Sequence, residues 1–345
     1  MRQPVCYTAL GRGHGVTGGG RASDAAATRA ACAIRKGRSQ SVDAMIEVTG
    51  LQKAYGEVQA VKGLDFTVER GKLFAFLGPY GAGKSTTIDI LCTILRPDAG
   101  DVLLDGHRLG AEDAAIRSTI GVVFQDHLLD PLLTVEENIR VRGGLYPHRR
   151  ATLNDAVRRA AKAADVGDFL QRPYGKLSGG QKRRADIARA LVHTPKILFL
   201  DEPTTGLDPQ TRKGVWDSIR TLQKEVGLTV FLTTHYMEEA AEADDVVVID
   251  DGRIAARGTP TALKEAYASD MLRITPLDEA TVTATLAAAN IAYTQNAGSI
   301  TVRLNVTLDA LPILEHLKGA ISGFEVLNGT MDDAFIGITG REIRQ

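Results

Sequence analysis

From residue 45 onward, apolar positions recur with two periods. "IEVTGLQKAYG" and "VKGLDFTVERG" read as strands with turn residues between them, a small antiparallel element. "LFAFLG" is an unbroken apolar run ending at a Gly-rich turn, which predicts a buried strand leading into a helix at "KSTTIDILCTIL". After the strand "IGVVFQ", residues 126–175 carry several helical patterns, one opened by "TVEEN", where Thr134 and Glu137 have capping-box spacing. "KILFLDEP", "TVFLTTH" and "DVVVIDDG" supply further short apolar strands, with amphipathic helices between them. Short buried strands alternating with helices predict an α/β fold around a mainly parallel sheet.

The register changes near residue 270. "LRIT", a helix through "DEATVTATLAAAN", strands at "IAYTQN" and "SITVRLN", a helix "LDALPILEHLKG" and a strand "FEVLNG" follow in order. That β-α-β-β-α-β series predicts a small α+β domain of ferredoxin-like type. Domains are therefore expected at 45–269, with a helical part at about 126–178, and at 270–345. The second contains no constellation of polar residues, so it reads either as a regulatory or assembly module or as a stabilising appendage.

Residues 1–44 differ. They are rich in Gly, Ala, Arg and Ser, carry only Asp24 and Asp43 as acids, and show no apolar period. Two readings stand: an organelle transit peptide, or a start codon placed upstream of a natural beginning at "MIEVTGLQKAYG". Under both, the segment is expected to be disordered and outside the fold.

Composition narrows the function class. At 44% hydrophobic and 24% charged residues, with a formal net charge of −1, the 345-residue chain lacks the basic excess of a nucleic-acid-binding surface. Its apolar runs fall far short of the roughly 20 residues that span a bilayer. Three widely spaced cysteines indicate neither a disulfide framework nor a metal site, and a reducing setting is the default.

"GPYGAGKS" fits G-x-x-x-x-G-K-[ST] between a strand and a helix. The loop of Gly78, Pro79, Tyr80, Gly81, Ala82, Gly83, Lys84, Ser85 and Thr86 is expected to surround phosphates with its N–H groups. Lys84 reaches the β- and γ-phosphates and Ser85 ligates Mg²⁺. "ILFLDEP" sets Asp201 and Glu202 at the end of a buried strand, where Asp201 can hold Mg²⁺ through water and Glu202 can polarise the attacking water. His235 alone of the seven histidines ends a predicted buried strand, at the carboxyl edge of the sheet where ligands of open α/β folds bind. Gln125 ends "GVVFQ" in the same way, with functional and structural readings evenly matched. Tyr55, an aromatic in a turn region, reads on its own as packing.

"LSGGQKRR" presents a second phosphate-binding helix start. Ser178 can cap the helix, and Gly179 and Gly180 are expected to let a ligand approach the backbone.

Together these motifs resemble the nucleotide-binding domain of ABC ATPases, P-loop NTPases with an antiparallel β subdomain and a helical subdomain. The likeness covers residues 45–267: the phosphate loop, "VVFQ" as the Q-loop, "LSGGQ" as the signature, "LFLDEP" as Walker B, "GLDP" with Asp208 as the D-loop, and His235 as the switch histidine. "TTHYMEEA" and "MDDAFIGITGRE" are similar to the daunorubicin-resistance branch of exporter ATPases, which carries an extra C-terminal domain. The resemblance implies ATP and Mg²⁺ as ligands, Tyr55 stacked on adenine, and Gln125 serving the metal and catalysis. It also implies a homodimer stacked head to tail, with Ser178, Gly179, Gly180 and Gln181 closing over the nucleotide of the other subunit. An ABC-2 type permease that handles a small-molecule, drug-like cargo is implied as well, placing the chain peripherally on the cytoplasmic face of the membrane.

Tyr80 departs from the family's usual Asn or other small polar residue, which puts dimer closure and full hydrolysis in question. Ribosome-acting ABC ATPases resemble two such domains in tandem with a basic linker, and this chain has one domain and no such linker. Chromosome-organising relatives place a long coiled coil between phosphate loop and signature, and the gap here has no heptads.

Overall fold

The computed structural model describes residues 43–146, 150–296 and 298–340. Strands β1 (Ala44–Tyr55), β2 (Val58–Glu69), β3 (Leu73–Leu77), β4 (Ala99–Leu104), β5 (His107–Arg108), β6 (Ile120–Val123), β7 (Ile197–Asp201), β8 (Thr229–Thr234), β9 (Asp245–Asp250) and β10 (Arg253–Gly258) precede the C-terminal part. Between them run helices α1 (Lys84–Leu91), α2 (Asp113–Thr119), α3 (Val135–Gly143), α4 (Arg150–Ala163), α5 (Gly179–Leu191), α6 (Pro209–Val226) and α7 (Met237–Ala241). After α8 (Pro260–Tyr267) come β11 (Asp270–Pro276), α9 (Glu279–Ala288), β12 (Tyr293–Asn296), β13 (Ser299–Leu304), α10 (Ala310–His316), β14 (Ile321–Leu327) and α11 (Met331–Thr339).

The central sheet has the order β10-β9-β3-β8-β7-β6, parallel except for β10. Both of its faces are covered, so β3, β7 and β8 are buried at every position, which is why they read as unbroken apolar runs. On one face lies the antiparallel sheet β2-β1-β4-β5. Phe66 of β2 anchors it, with its ring 5.7 Å from Phe74, 5.6 Å from Phe76 and 6.2 Å from Phe231. Such pairs add about 0.5–1.5 kcal/mol each beyond area burial. The other face packs on α5, α6 and the helical region, whose helix α3 is capped by the reciprocal Thr134–Glu137 box that its spacing predicts.

The expected N-terminal extension lies outside the described residues except for its last two. Asp43 and Ala44 belong to the fold: Arg70 N donates to the Asp43 carbonyl at 3.0 Å, and Ala44 pairs with Glu69.

The C-terminal sheet, β12-β13-β11-β14, is antiparallel, with α9 and α10 covering a separate core of Leu272, Ile274, Ile300 and Val302. This is the strand order of a ferredoxin-like fold. The last helix behaves differently from the sequence expectation of one accessory unit through residue 345. Met331 and Phe335 of α11 are buried in the core of the first domain, against α8 and α7. No helix among the described residues is long and apolar enough to cross a membrane.

Candidate functional site

Strand order assembles the site. β8 lies between β3 and β7, so Leu77 pairs with Thr234 and Asp201 with Thr233. The segments leaving the carboxyl ends of these three neighbours are the phosphate loop, "His235–Tyr236" and "Glu202–Pro203". Open parallel sheets bind ligands at that edge because the strand ends and helix starts converge there.

The loop's glycines are dictated by close contacts. A side chain at Gly78 would meet the Ile249 carbonyl at 2.4 Å, and one at Gly83 the Ala60 carbonyl at 2.5 Å. Gly83 also has φ +100°, so it opens α1 in a conformation that L residues avoid, and no side chain caps the helix. The first N–H groups of α1 are thus left for a ligand.

Lys84 begins α1 and is buried. Its Nζ donates to the carbonyls of Gly78 at 2.8 Å and Pro79 at 3.1 Å, and lies 3.4 Å from Glu202 Oε1. Burial pushes the Lys84 ammonium down, partly offset by Glu202 and Asp201. Glu202 has φ +44°, a strained backbone for a non-glycine residue, and its N–H donates to the Thr233 carbonyl at 3.2 Å. Its Oε2 accepts from Thr205 Oγ1 at 3.1 Å and faces His235 Nδ1 at 3.3 Å, an ion-pair distance without hydrogen-bond alignment. Burial pushes the Glu202 carboxyl up, but His235, Lys84 and Thr205 outweigh it and leave the group below its ordinary range. The carboxylate is therefore the ionised form that can accept a proton.

Asp201 is buried and accepts from the Thr233 hydroxyl through Oδ1. Burial raises its pKa, a cost that a cation beside it would relieve. Ser85 is exposed at the start of α1 and Thr86 is half-buried.

A second cluster stands apart from the first. Ser178 caps α5 through the Gln181 N–H at 3.4 Å while Gln181 Oε1 accepts from Ser178 N at 3.1 Å. Asp208 caps α6 through the Thr211 N–H at 3.0 Å. The two helix starts touch: a Cβ on Gly180 would lie 2.2 Å from Thr211 Cγ2, and one on Gly179 2.9 Å from Leu207. The sequence reading attributed these glycines to ligand approach; the nearest demand is packing within the chain. Ser178, Gly180, Gln181, Arg184, Gln210 and Thr211 help line a groove of about 700 Å³ to which the phosphate loop contributes nothing.

Two predicted site residues join neither cluster through their side chains. Gln125 is exposed and Tyr55 is 51% exposed, with Lys53 Nζ 6.0 Å from its ring. What sequence reading missed is the tether behind Gln125. Arg183, buried in α5, donates to the carbonyls of Phe124 at 2.6 Å and Gln125 at 3.0 Å. A cation inside "LSGGQKRR" was the only available signal, and it reads equally well as surface charge. Thr233 and Glu239 were missed too; Glu239 accepts from Thr204 Oγ1 beneath the turn that follows β7.

The ABC transporter family profile matches residues 61–205. The chain is 38% identical to the daunorubicin/doxorubicin resistance ATP-binding protein of Streptomyces peucetius over 86% of this chain and 92% of that protein. It is also 38% identical to the Nod factor export ATP-binding protein I of Burkholderia lata, over 87% and 99%. Among solved structures it is similar to cbiO1 of Clostridium perfringens, described as part of an ABC transporter complex. The TM-score is 0.61 at 32% identity, covering 64% of this chain and 90% of that one. A dimeric ATP-binding cassette bound to ADP and Pi matches with a TM-score of 0.57 at 29% identity, covering 62% and 98%.

Proposed function

The chain belongs to the ABC transporter family of ATP-binding proteins, and we propose that it is the motor subunit of an exporter, working as a head-to-tail homodimer on a separate permease. It binds and hydrolyses ATP. The observation that carries the dimer is the separation of the two anion-binding helix starts. Lys84 and α1 form one cluster, and Ser178 with α5 lines a groove elsewhere. A nucleotide held by residues 78–86 needs Ser178, Gly179, Gly180 and Gln181 from a second copy to close over its γ-phosphate.

Within each composite site, the α1 start and Lys84 neutralise the phosphates. Tyr55 stacks on the adenine, its half-exposed ring being open to a base. Glu202, held ionised, takes the proton of the attacking water while His235 steadies the γ-phosphate. Gln125, its backbone carbonyl held by Arg183, serves the metal and catalysis, and Asp208 orders the turn that meets the partner's phosphate loop. The donor set fits Mg²⁺: Ser85 and Asp201 offer hard oxygens, and no His, Cys, Asp or Glu cluster among the described residues would hold a metal unaided. Mg²⁺ keeps waters and shares substrate phosphates, so a hydroxyl and one carboxylate suffice. Bound there, it would neutralise charge on the β- and γ-phosphates.

The cargo class is supported by the two relatives described above, named for daunorubicin/doxorubicin resistance and Nod factor export. We assign a drug-like or other hydrophobic compound, moved by an ABC-2 type permease, with this chain bound peripherally on the cytoplasmic face. Glu202→Gln tests the motor reading: it should still bind ATP, lose about two orders of magnitude or more in turnover, and elute as a dimer with ATP and Mg²⁺. A monomeric variant with wild-type turnover would overturn it.

A further inference from the structure

Tyr80, at the third variable position of the phosphate loop, is 61% exposed, yet its ring lies 4.7 Å from the His235 ring and its hydroxyl 3.3 Å from His235 Nε2. Lys84 Nζ sits 5.4 Å from the centre of the same ring. The other imidazole nitrogen, Nδ1, faces Glu202 Oε2 at 3.3 Å. Of the two uncharged tautomers, the one with its hydrogen on Nδ1 turns that N–H toward the Glu202 oxygen, which can only be an acceptor when it carries no proton. Nε2 is then an acceptor, and the Tyr80 O–H is the donor that fills it. The opposite tautomer would set the Nδ1 lone pair against a negative oxygen.

An imidazole held this way has no N–H to offer a phosphoryl oxygen, which is itself an acceptor. We propose that Tyr80 is a positioning residue that latches His235 with Nε2 as an acceptor, so that a triphosphate must displace the latch whereas a diphosphate leaves it closed. The inference rests on the reading of this cluster as an ATP site. Its consequence is discrimination: the hydroxyl lowers affinity for ATP relative to ADP. It also gives a small polar residue at this position a distinct effect, since one without a donor in reach of Nε2 would leave His235 free.

Tyr80→Phe removes the hydroxyl and keeps the ring on His235 and over Lys84. Binding of a non-hydrolysable ATP analogue and of ADP, each with Mg²⁺, is measured by displacement of a fluorescent nucleotide. One net hydrogen bond corresponds to about fivefold. The analogue should therefore bind the variant about fivefold tighter, with ADP affinity unchanged. In a His235→Ala background the same substitution should leave the ratio where it was. Tyr80→Ala provides a second test of the ratio that does not depend on the phenyl ring. An unchanged ratio in both Tyr80 variants overturns the latch, and so does an equal shift in the His235→Ala background. A wild-type chain that binds neither nucleotide would overturn the ATP-site reading itself, and the latch with it.

Discussion

Lys84 and Glu202 meet inside the protein: Nζ lies 3.4 Å from Oε1, and both side chains are at most 4% exposed. The phosphate-loop cation is therefore the partner of the carboxylate that follows β7, and each holds the other's charge in place.

Removing one member of such a pair leaves the other charge buried. Lys84→Ala should cost about 3–5 kcal/mol, read as a lower urea midpoint. Lys84→Ala combined with Glu202→Gln should recover part of that loss. If the double variant is as unstable as the two singles added together, the pair contributes nothing to folding.

The cross-subunit site is tested by mixing two defective copies. Lys84→Ala removes the phosphate-loop cation, and Ser178→Arg places a bulky charge on the signature. Each homodimer carries its lesion in both composite sites and should trap no ATP. In the heterodimer both lesions fall in one site, so the other is intact. Differently tagged and co-purified, it should trap about one ATP per dimer where the wild type traps two. No trapping by the verified heterodimer would mean that Ser178 serves its own chain.

Gly180 sits against Thr211, and Gly179 against the end of the flexible Leu207 side chain. Alanine at Gly179 should be tolerated, since helix propensity favours it by about 1 kcal/mol. At Gly180 overpacking should cost about 1–3 kcal/mol, visible as a lower melting temperature. Thr211→Ala should rescue it, because it removes the Cγ2 that a Gly180 side chain would meet and keeps the backbone N–H through which Asp208 caps α6. No rescue would show that the glycine answers to something other than this contact.

Glu239 is buried and accepts from Thr204 through Oε1. Burial pushes its carboxyl above the ordinary 4.5, only partly offset by Thr204, Thr234 and Trp216. A pKa raised in the folded state means that the proton is held more tightly there than in the unfolded chain. Its contribution to stability is thus complete below about pH 4.5 and lost as pH rises through the folded value. Glu239→Gln should abolish this dependence: relative to wild type, its melting temperature should rise from pH 4.5 to pH 8. A difference that stays flat with pH would place the proton elsewhere.

Much of this was legible in one dimension because it depends on local chemistry. The phosphate loop needs Gly78 and Gly83 where backbone crowds backbone, Ser178 and Thr134 cap helices through the third residue on, and strands buried on both faces read as apolar runs. Spacing and period carry such requirements, and they placed the helix starts at Lys84 and Gly179. The sequence could not show that β8, last of these three strands in the chain, lies between β3 and β7 and so brings His235 to Glu202, which in turn meets Lys84. Nor could it show Tyr80 turned onto His235, Arg183 holding the Gln125 carbonyl, or α11 returning to the first domain's core. Each of these is a contact between residues far apart in the chain, decided by which surfaces must be buried together. Local propensity and periodicity contain no information about that choice.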